Sequence, residues 1–147
     1  MGPRANALGL IVNGDYILLE EQAGKHSRGT GAFYRPIGGT IEFGERSVET
    51  LKREFKEELD VEVFISRYIT CLENIYTIEE DMAHEITQIY VVEFKDPSLY
   101  KRDVFTVTEG NIVTQARWIS LKELEHKVLF PNGLMELLKR EFMGGEE

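Results

Sequence analysis

The stretch from Gly38 to Val61, GGTIEFGERSVETLKREFKEELDV, constrains this chain more than any other part. Its two glycines predict a tight turn, and Ser47 is suited to cap a helix that runs over about residues 48–59. The apolar side chains of this helix recur on one side at helical spacing, which predicts its core face. They are Val48, Leu51, Phe55 and Leu59.

The acidic residues of the same helix pose an electrostatic problem. Glu54, Glu57 and Glu58 fall in a neighbouring arc of about 100° on the helix surface. Glu58 borders the apolar stripe, so its carboxylate is expected to be partly desolvated. Like charges one turn apart, such as Glu54 and Glu58, oppose helix formation by a few tenths of a kcal/mol. A bound divalent cation is the simplest way to relieve this repulsion.

The rest of the chain predicts one mixed α/β domain over residues 1–147, with residues 1–6 as a flexible tail. In chain order the predicted elements are a hairpin of 8–12 and 16–20 joined at Asn13-Gly14, a mobile loop over 22–32, short strands at 33–36 and 40–43, the helix, a β-prone stretch through Ile78, a turn at 79–81, a central strand over 86–94, a short strand at 116–119, a short helix capped by Ser120, and an amphipathic helix over 134–142.

Composition narrows the classes of partner. The net charge of −9 argues against a nucleic-acid duplex or an anionic membrane as the main partner. Cys71 is the single cysteine, which excludes an intrachain disulfide. The N-terminal residues contain no long apolar run, so neither a signal peptide nor a transmembrane helix is predicted and a cytoplasmic location is the default expectation.

With these residues in view, the stretch resembles the signature of the MutT-like Nudix hydrolase family. The matching positions are Gly39, Glu45, Arg53, Glu54, Phe55, Glu57, Glu58 and Val61. Asp60 stands where the family usually has glycine. Because aspartate tolerates the left-handed conformation better than most residues, the C-cap of the helix is expected to survive this change. The resemblance implies a Nudix-type α/β/α sandwich around a mixed β-sheet.

The resemblance also implies an activity. Family members hydrolyse a phosphoanhydride bond in a nucleoside diphosphate linked to another moiety, and they use Mg²⁺, or Mn²⁺ as a substitute. By position, the metal ligands would be Glu54, Glu57 and Glu58, together with the main-chain carbonyl of Gly38. Arg53 would orient a glutamate. Gly39 and Glu45 would support the glycine turn.

Two parts of the active site stay open at this stage. The general base could be Glu57 or Glu58, or a carboxylate from a later loop, for which Glu109 is the best candidate and Glu85 a weaker one. Substrate contacts are expected from Arg35, Tyr34 and Tyr76. Phe33 and Phe105 are further stacking candidates, and Lys25 and Arg28 are further candidates for phosphate contacts.

The principal alternative is a Nudix-like domain that senses a nucleotide or metabolite without hydrolysing it. Such domains normally lack part of the glutamate set, whereas this chain has all of it. The expected partner is therefore a small nucleotide-type substrate, and a homodimer is a family-level expectation.

Overall fold

The computed structural model describes residues 2–144, which form nine strands and two α-helices. They are β1 (Arg4–Leu10), β2 (Val12–Asn13), β3 (Tyr16–His26), β4 (Gly29–Arg35), β5 (Ile37–Thr40), α1 (Ser47–Leu59), β6 (Val63–Ile78), β7 (Asp81–Phe94), β8 (Val104–Glu109), β9 (Ile112–Ser120) and α2 (Leu134–Phe142). Short 3₁₀ helices occupy Pro97–Lys101 and Leu121–His126.

The strands form two sheets. The first has the order β5-β1-β7-β6 and is mixed, because β1 and β7 run parallel while the other pairs are antiparallel. The second has the order β2-β3-β9-β8, with β4 also paired to β3, and is antiparallel throughout.

Each helix covers a different face of this β-structure. Successive residues of a strand point to opposite faces, so Ala7 packs in the cluster that contains Leu51 and Phe55 of α1. Its neighbour Leu8 packs in the other cluster, with Leu134 of α2. The predicted α/β/α sandwich around a mixed sheet is confirmed.

Helix α1 follows the predicted phase and begins one residue early. Leu51, Phe55 and Leu59 are buried. The predicted N-cap at Ser47 is wrong, because Arg46 holds that position and its N–H donates to Glu49 Oε1 at 2.8 Å. The Ser47 hydroxyl is instead 2.6 Å from the Tyr90 hydroxyl.

The end of α1 agrees with the prediction for Asp60. This residue is left-handed, with φ 58° and ψ 44°, and its N–H donates to the carbonyl of Lys56 at 3.0 Å. The predicted central strand is also confirmed, since β7 lies between β1 and β6. Helix α2 spans the predicted residues.

Two predictions for the N-terminal region are wrong. The predicted tail includes Arg4–Asn6, which belong to β1 and pair in parallel with β7. The predicted mobile loop over 22–32 is a regular hairpin of β3 and β4, paired up to His26 and Gly29. Its glycines at 24, 29 and 31 have φ of 131–133°, values that L side chains rarely adopt. Glycine content therefore reflected the backbone conformation of the hairpin and not mobility.

The first hairpin forms one residue away from its predicted position. Asn13 pairs with Tyr16, so the two turn residues are Gly14 and Asp15. Gly14 has φ 61°, which meets the demand of a tight hairpin turn for a positive φ.

Candidate active site

The two glycines of the motif lie in β5, not in the predicted tight turn. Glycine is required at both positions because neighbouring atoms leave no room for a Cβ. A Cβ at Gly38 would lie 2.0 Å from the carbonyl oxygen of Ala7, and a Cβ at Gly39 would lie 2.3 Å from Glu54 Oε2. The backbone of β5 therefore passes directly against β1 on one side and against the carboxylate of Glu54 on the other.

Arg53, in the middle of α1, links this helix to the residues around β5. Its Nε and Nη2 donate to the two carboxylate oxygens of Glu45 at 2.7 and 3.0 Å, and Nη2 also donates to the Thr40 carbonyl at 3.1 Å. Its Nη1 donates to Glu54 at 3.1 Å and to Glu57 at 3.3 Å. The planar guanidinium thus holds several glutamates at once, as its fork of donors permits.

Glu45 is the main anchor of Arg53. The Thr50 hydroxyl donates to Glu45 Oε1 at 2.7 Å, and the N–H of Glu42 donates to the same oxygen at 3.1 Å. These contacts lower the pKa of Glu45 to about 2, with the Arg53 hydrogen bond as the largest cause and the Thr50 hydrogen bond as the next. Glu45 therefore stays ionised and ties the loop before α1 to the helix.

Glu58 lies in the position that helical phase predicts, at the edge of the core. Only 5% of its surface is exposed. Its pKa is raised to about 9, mainly by burial and next by the hydrogen bond that it shares with Glu54. The negative charges of Glu54, Glu109 and Glu20 act in the same direction. We refer to these four glutamates, Glu20, Glu54, Glu58 and Glu109, as the acidic cluster, because the charges of the other three act on the buried Glu58. Carboxylate oxygens are the hard donors that Mg²⁺ and Mn²⁺ prefer.

Glu57 does not belong to the acidic cluster. Its side chain is 59% exposed and contacts Arg53. Within residues 2–144, no three His, Cys, Asp or Glu side chains are spaced so that they could hold a metal ion as they stand. The structure therefore brings Glu54 and Glu58 together, and a three-glutamate site would require the exposed Glu57 side chain to rotate inward.

Glu20 is the acidic residue that sequence reasoning missed. It lies in β3 and is 3% exposed. Period-2 alternation was the available signal, since it places Glu20 on the same face as Leu18, which packs in the cluster covered by α1. A charged residue on a core face is unusual enough to mark a candidate site.

The two candidate bases from later in the chain, Glu109 and Glu85, lie in different places. Glu109 ends β8 at the turn into β9, is exposed, and lies close enough for its charge to act on Glu58. Glu85 instead lies 3.5 Å from Arg4, and both residues line a neighbouring cavity. Of these two candidates, Glu109 is therefore the one whose charge acts on Glu58.

The neighbouring cavity has a volume of about 210 Å³. Its lining combines basic side chains (Arg4, Lys25 and Arg35), aromatic side chains (Phe33, Tyr76 and Phe130), and polar residues that include Gln22, Asn74 and Asn132. Two buried polar residues, Asn6 and Thr87, also line the cavity. The Thr87 hydroxyl donates to Asn6 Oδ1 at 2.5 Å. Sequence reasoning missed Asn6 because it assigned residues 1–6 to a tail.

Of the residues predicted to contact the substrate, some line the cavity and others lie elsewhere in the structure. Arg35 and Tyr76 line the cavity, whereas Tyr34 lies on the opposite face of β4, packs in the α2 cluster and lies under Lys127. Phe105 is 1% exposed in the core and cannot stack on a ligand. Arg28 donates to the Leu129 carbonyl and packs on the ring of Phe130, so it supports the fold.

Comparison with known proteins decides the family. A family model described as NUDIX domain matches residues 2–139. The chain belongs to the Nudix family. This confirms the resemblance drawn from the motif, and it supports the predicted enzyme class, a Nudix pyrophosphohydrolase. No curated protein sequence matches the chain at a significant level.

Solved structures share the Nudix fold at low sequence identity. A NUDIX hydrolase from Nitrosomonas europaea has a TM-score of 0.67 at 18% identity, over 94% of this chain and 87% of that one. A MutT NUDIX hydrolase from Burkholderia pseudomallei has a TM-score of 0.68 at 17% identity, over 97% and 99%. The E. coli ORF135 protein has a TM-score of 0.64 at 21% identity, over 97% and 90%. At these identities the likeness establishes the fold of this Nudix protein and not its substrate.

Neither α-helix within residues 2–144 is long and apolar enough to cross a membrane.

Proposed function

We propose that this Nudix protein hydrolyses a phosphoanhydride bond in a nucleoside diphosphate linked to another moiety, with the help of Mg²⁺ or Mn²⁺. The observation that carries the proposal is the buried carboxyl of Glu58 beside Glu54, within the field of Glu20 and Glu109. Acidic side chains are rarely buried next to one another unless a cation or a shared proton compensates them.

The metal ligands would be Glu54, Glu58 and, after rotation, Glu57. The carbonyl of Gly38 would complete the set, as the resemblance to the family implies; the next residue, Gly39, lies against Glu54. When bound, the cation would neutralise charge on the phosphates and favour ionisation of a water molecule. The residues of the chain would do the rest: Arg53 holds Glu54 in place.

The general base would be one of three glutamates. Glu57 and Glu109 are both exposed, so each could take a proton from water and release it to solvent. Glu58 is the third candidate, although its burial favours the role of ligand. The pH dependence of variants at these positions would separate the three.

The cavity beside the cluster would hold the rest of a small nucleotide-type substrate. Phe33 and Tyr76 supply aromatic surface on which a planar group can pack, and Asn6 with Thr87 supplies hydrogen-bonding groups. Arg35 supplies positive charge for phosphate oxygens.

The proposal is tested by measuring nucleotide or phosphate release from a panel of compounds with Mg²⁺, Mn²⁺ or Ca²⁺. The panel contains nucleoside triphosphates, oxidised nucleotides, nucleotide sugars, ADP-ribose and dinucleoside polyphosphates. We expect Glu57→Gln and Glu58→Gln each to lower kcat by about 10²-fold or more, as loss of a metal ligand or general base does.

Glu62→Gln is the matched control. This side chain is 67% exposed and lies 3.9 Å from Lys95, outside the cluster, so its turnover should equal that of the wild type. Wild-type turnover in both Glu57→Gln and Glu58→Gln would refute the assignment. Binding of a panel compound without any hydrolysis would favour the sensor alternative.

A further inference from the structure

Arg35 lies between the acidic cluster and the cavity. Its side chain lines the cavity, and it pairs across the β3–β4 hairpin with Glu20. Arg35 Nε is 3.6 Å from Glu20 Oε1, and this buried nitrogen has no hydrogen-bond partner among the described residues. One edge of the guanidinium therefore faces a buried carboxylate.

Glu20 is held in one orientation by its other neighbours. The Thr114 hydroxyl donates to Glu20 Oε2 at 2.6 Å, and Gln22 Nε2 donates to the same oxygen at 3.0 Å. Oε1 is left to face Arg35. A carboxylate that is 3% exposed is costly unless it is paired, so the neighbouring guanidinium is electrostatically favoured in this position.

The other basic residues near the site are already engaged by carboxylates. Arg53 donates to Glu45, Glu54 and Glu57. Arg4 pairs with Glu85, and Lys25 pairs with Glu79. In the described part of the chain, the only ion pair of Arg35 is at Nε. Arg35 therefore also has one ion pair, but its shortest contact is made through Nε, and neither terminal nitrogen donates a hydrogen bond to a carboxylate among the described residues.

We propose that Glu20 is a positioning residue that holds Arg35 so that its terminal guanidinium nitrogens bind a phosphate oxygen of the substrate. The inference rests on the proposed function, since it assumes a phosphate-bearing ligand. Glu20 acts through Arg35 and does not itself touch the ligand, because its oxygens face Thr114, Gln22 and Arg35.

The experiment combines kinetics with direct binding in a double-mutant cycle of Glu20→Gln and Arg35→Lys. Glutamine keeps the size of the side chain and can still accept from Thr114, and lysine keeps the charge of Arg35 but loses its fork. KM and kcat are measured with the best compound of the panel. The Kd of inorganic pyrophosphate is measured by calorimetry in the presence of Mg²⁺.

We expect each single variant to raise KM and the pyrophosphate Kd by about tenfold, which corresponds to the loss of one charge-assisted hydrogen bond. We expect kcat to stay within about threefold of the wild type. The KM and Kd of the double variant should be no higher than those of Arg35→Lys alone, because both changes remove the same interaction. Thr114→Val, which removes a donor that orients Glu20, should shift KM and Kd in the same direction by a smaller factor.

Glu21→Gln is the control, since this neighbour on β3 points to the opposite face and does not line the cavity. Additive effects of Glu20→Gln and Arg35→Lys would overturn the inference, and so would a loss of kcat at constant KM. If Glu20→Gln does not fold, Arg35→Lys and Thr114→Val still decide it: an unchanged Kd in both overturns it.

The same measurements separate this inference from the proposed function. A wild type that hydrolyses a panel compound while its Kd for pyrophosphate is insensitive to these variants overturns the positioning role alone. A wild type that binds pyrophosphate through Arg35 but hydrolyses no compound overturns the proposed function alone. A wild type that does not bind pyrophosphate overturns the positioning role.

Discussion

Replacing Glu45 with glutamine tests whether this carboxylate fastens α1 to the loop that precedes it. Both oxygens of Glu45 accept from Arg53, and Oε1 also accepts from Thr50 and from the N–H of Glu42. The amide of glutamine retains one acceptor and presents an NH₂ group to the guanidinium. Arg53 would therefore lose its bidentate partner, and its remaining contacts to Glu54 and Glu57 would have to hold it alone.

The magnitude follows from the depressed pKa of Glu45. A fall from 4.5 to about 2 sets an upper limit of about 3 kcal/mol on the preference of the folded protein for the ionised carboxyl. Hydrogen bonds to charged groups contribute about 1.5–3 kcal/mol, and the Glu45 side chain is only 16% exposed. We expect Glu45→Gln to lower the free energy of unfolding by about 2 kcal/mol at pH 7.

The pH dependence provides an independent check. Because the pKa of Glu45 is lower in the folded than in the unfolded protein, its stabilisation is complete above the unfolded value and is lost as pH falls toward 2. Urea unfolding at pH 7, 5, 4 and 3 should show the difference between wild type and Glu45→Gln shrinking only below about pH 4.5.

Glu42 offers the matched control. It also lies near Arg53, but at 3.8 Å and with a side chain that is 67% exposed. Exposed ion pairs of this kind contribute about 0–1 kcal/mol, so Glu42→Gln should have little effect. Equal destabilisation by the two variants, or a Glu45→Gln difference that is the same at pH 7 and pH 3, would refute the reasoning.

Two further predictions concern backbone positions of the motif. Gly38→Ala should lower the free energy of unfolding by about 3 kcal/mol or more, because the new Cβ meets a main-chain oxygen of β1. Gly39→Ala should lower it by only about 1 kcal/mol, because the new Cβ meets the side chain of Glu54, which can move. Displacement of this carboxylate should lower kcat at least tenfold. Thermal unfolding and turnover of both variants check this pair, and equal losses of stability would contradict it. Asp60→Gly should raise the free energy of unfolding by about 0.5–1 kcal/mol without changing turnover, because glycine adopts the left-handed C-cap at φ 58° more readily. An unchanged urea midpoint would count against this expectation.

The parts of the molecule that could be predicted depend on local periodicity. A helix repeats every 3.6 residues, so its apolar stripe, the desolvated position of Glu58 and the left-handed end at Asp60 follow from neighbours in the chain. The strong β-prone run of β7 was found for the same reason. Boundaries and caps were less certain, as Ser47 shows, because tertiary contact with Tyr90 competes for its hydroxyl.

The parts that could not be predicted depend on pairing between distant residues. Arg4 and Asn6 look like a tail in isolation, but β1 lies between β5 and β7, and Asn6 bonds Thr87, which is 81 positions away. A run of residues carries no record of which strand it will pair with, since backbone hydrogen bonds are the same for every partner.

The sequence by itself therefore determined the family, the acidic helix and the chemistry that three glutamates imply. Tertiary structure alone decided which charges meet: it buried Glu20 beside Arg35, placed Glu109 within the field of Glu58, and left Glu57 exposed. The physical reason is that desolvation and Coulomb energies depend on distance and burial in space, and both are set by packing of elements far apart in the chain.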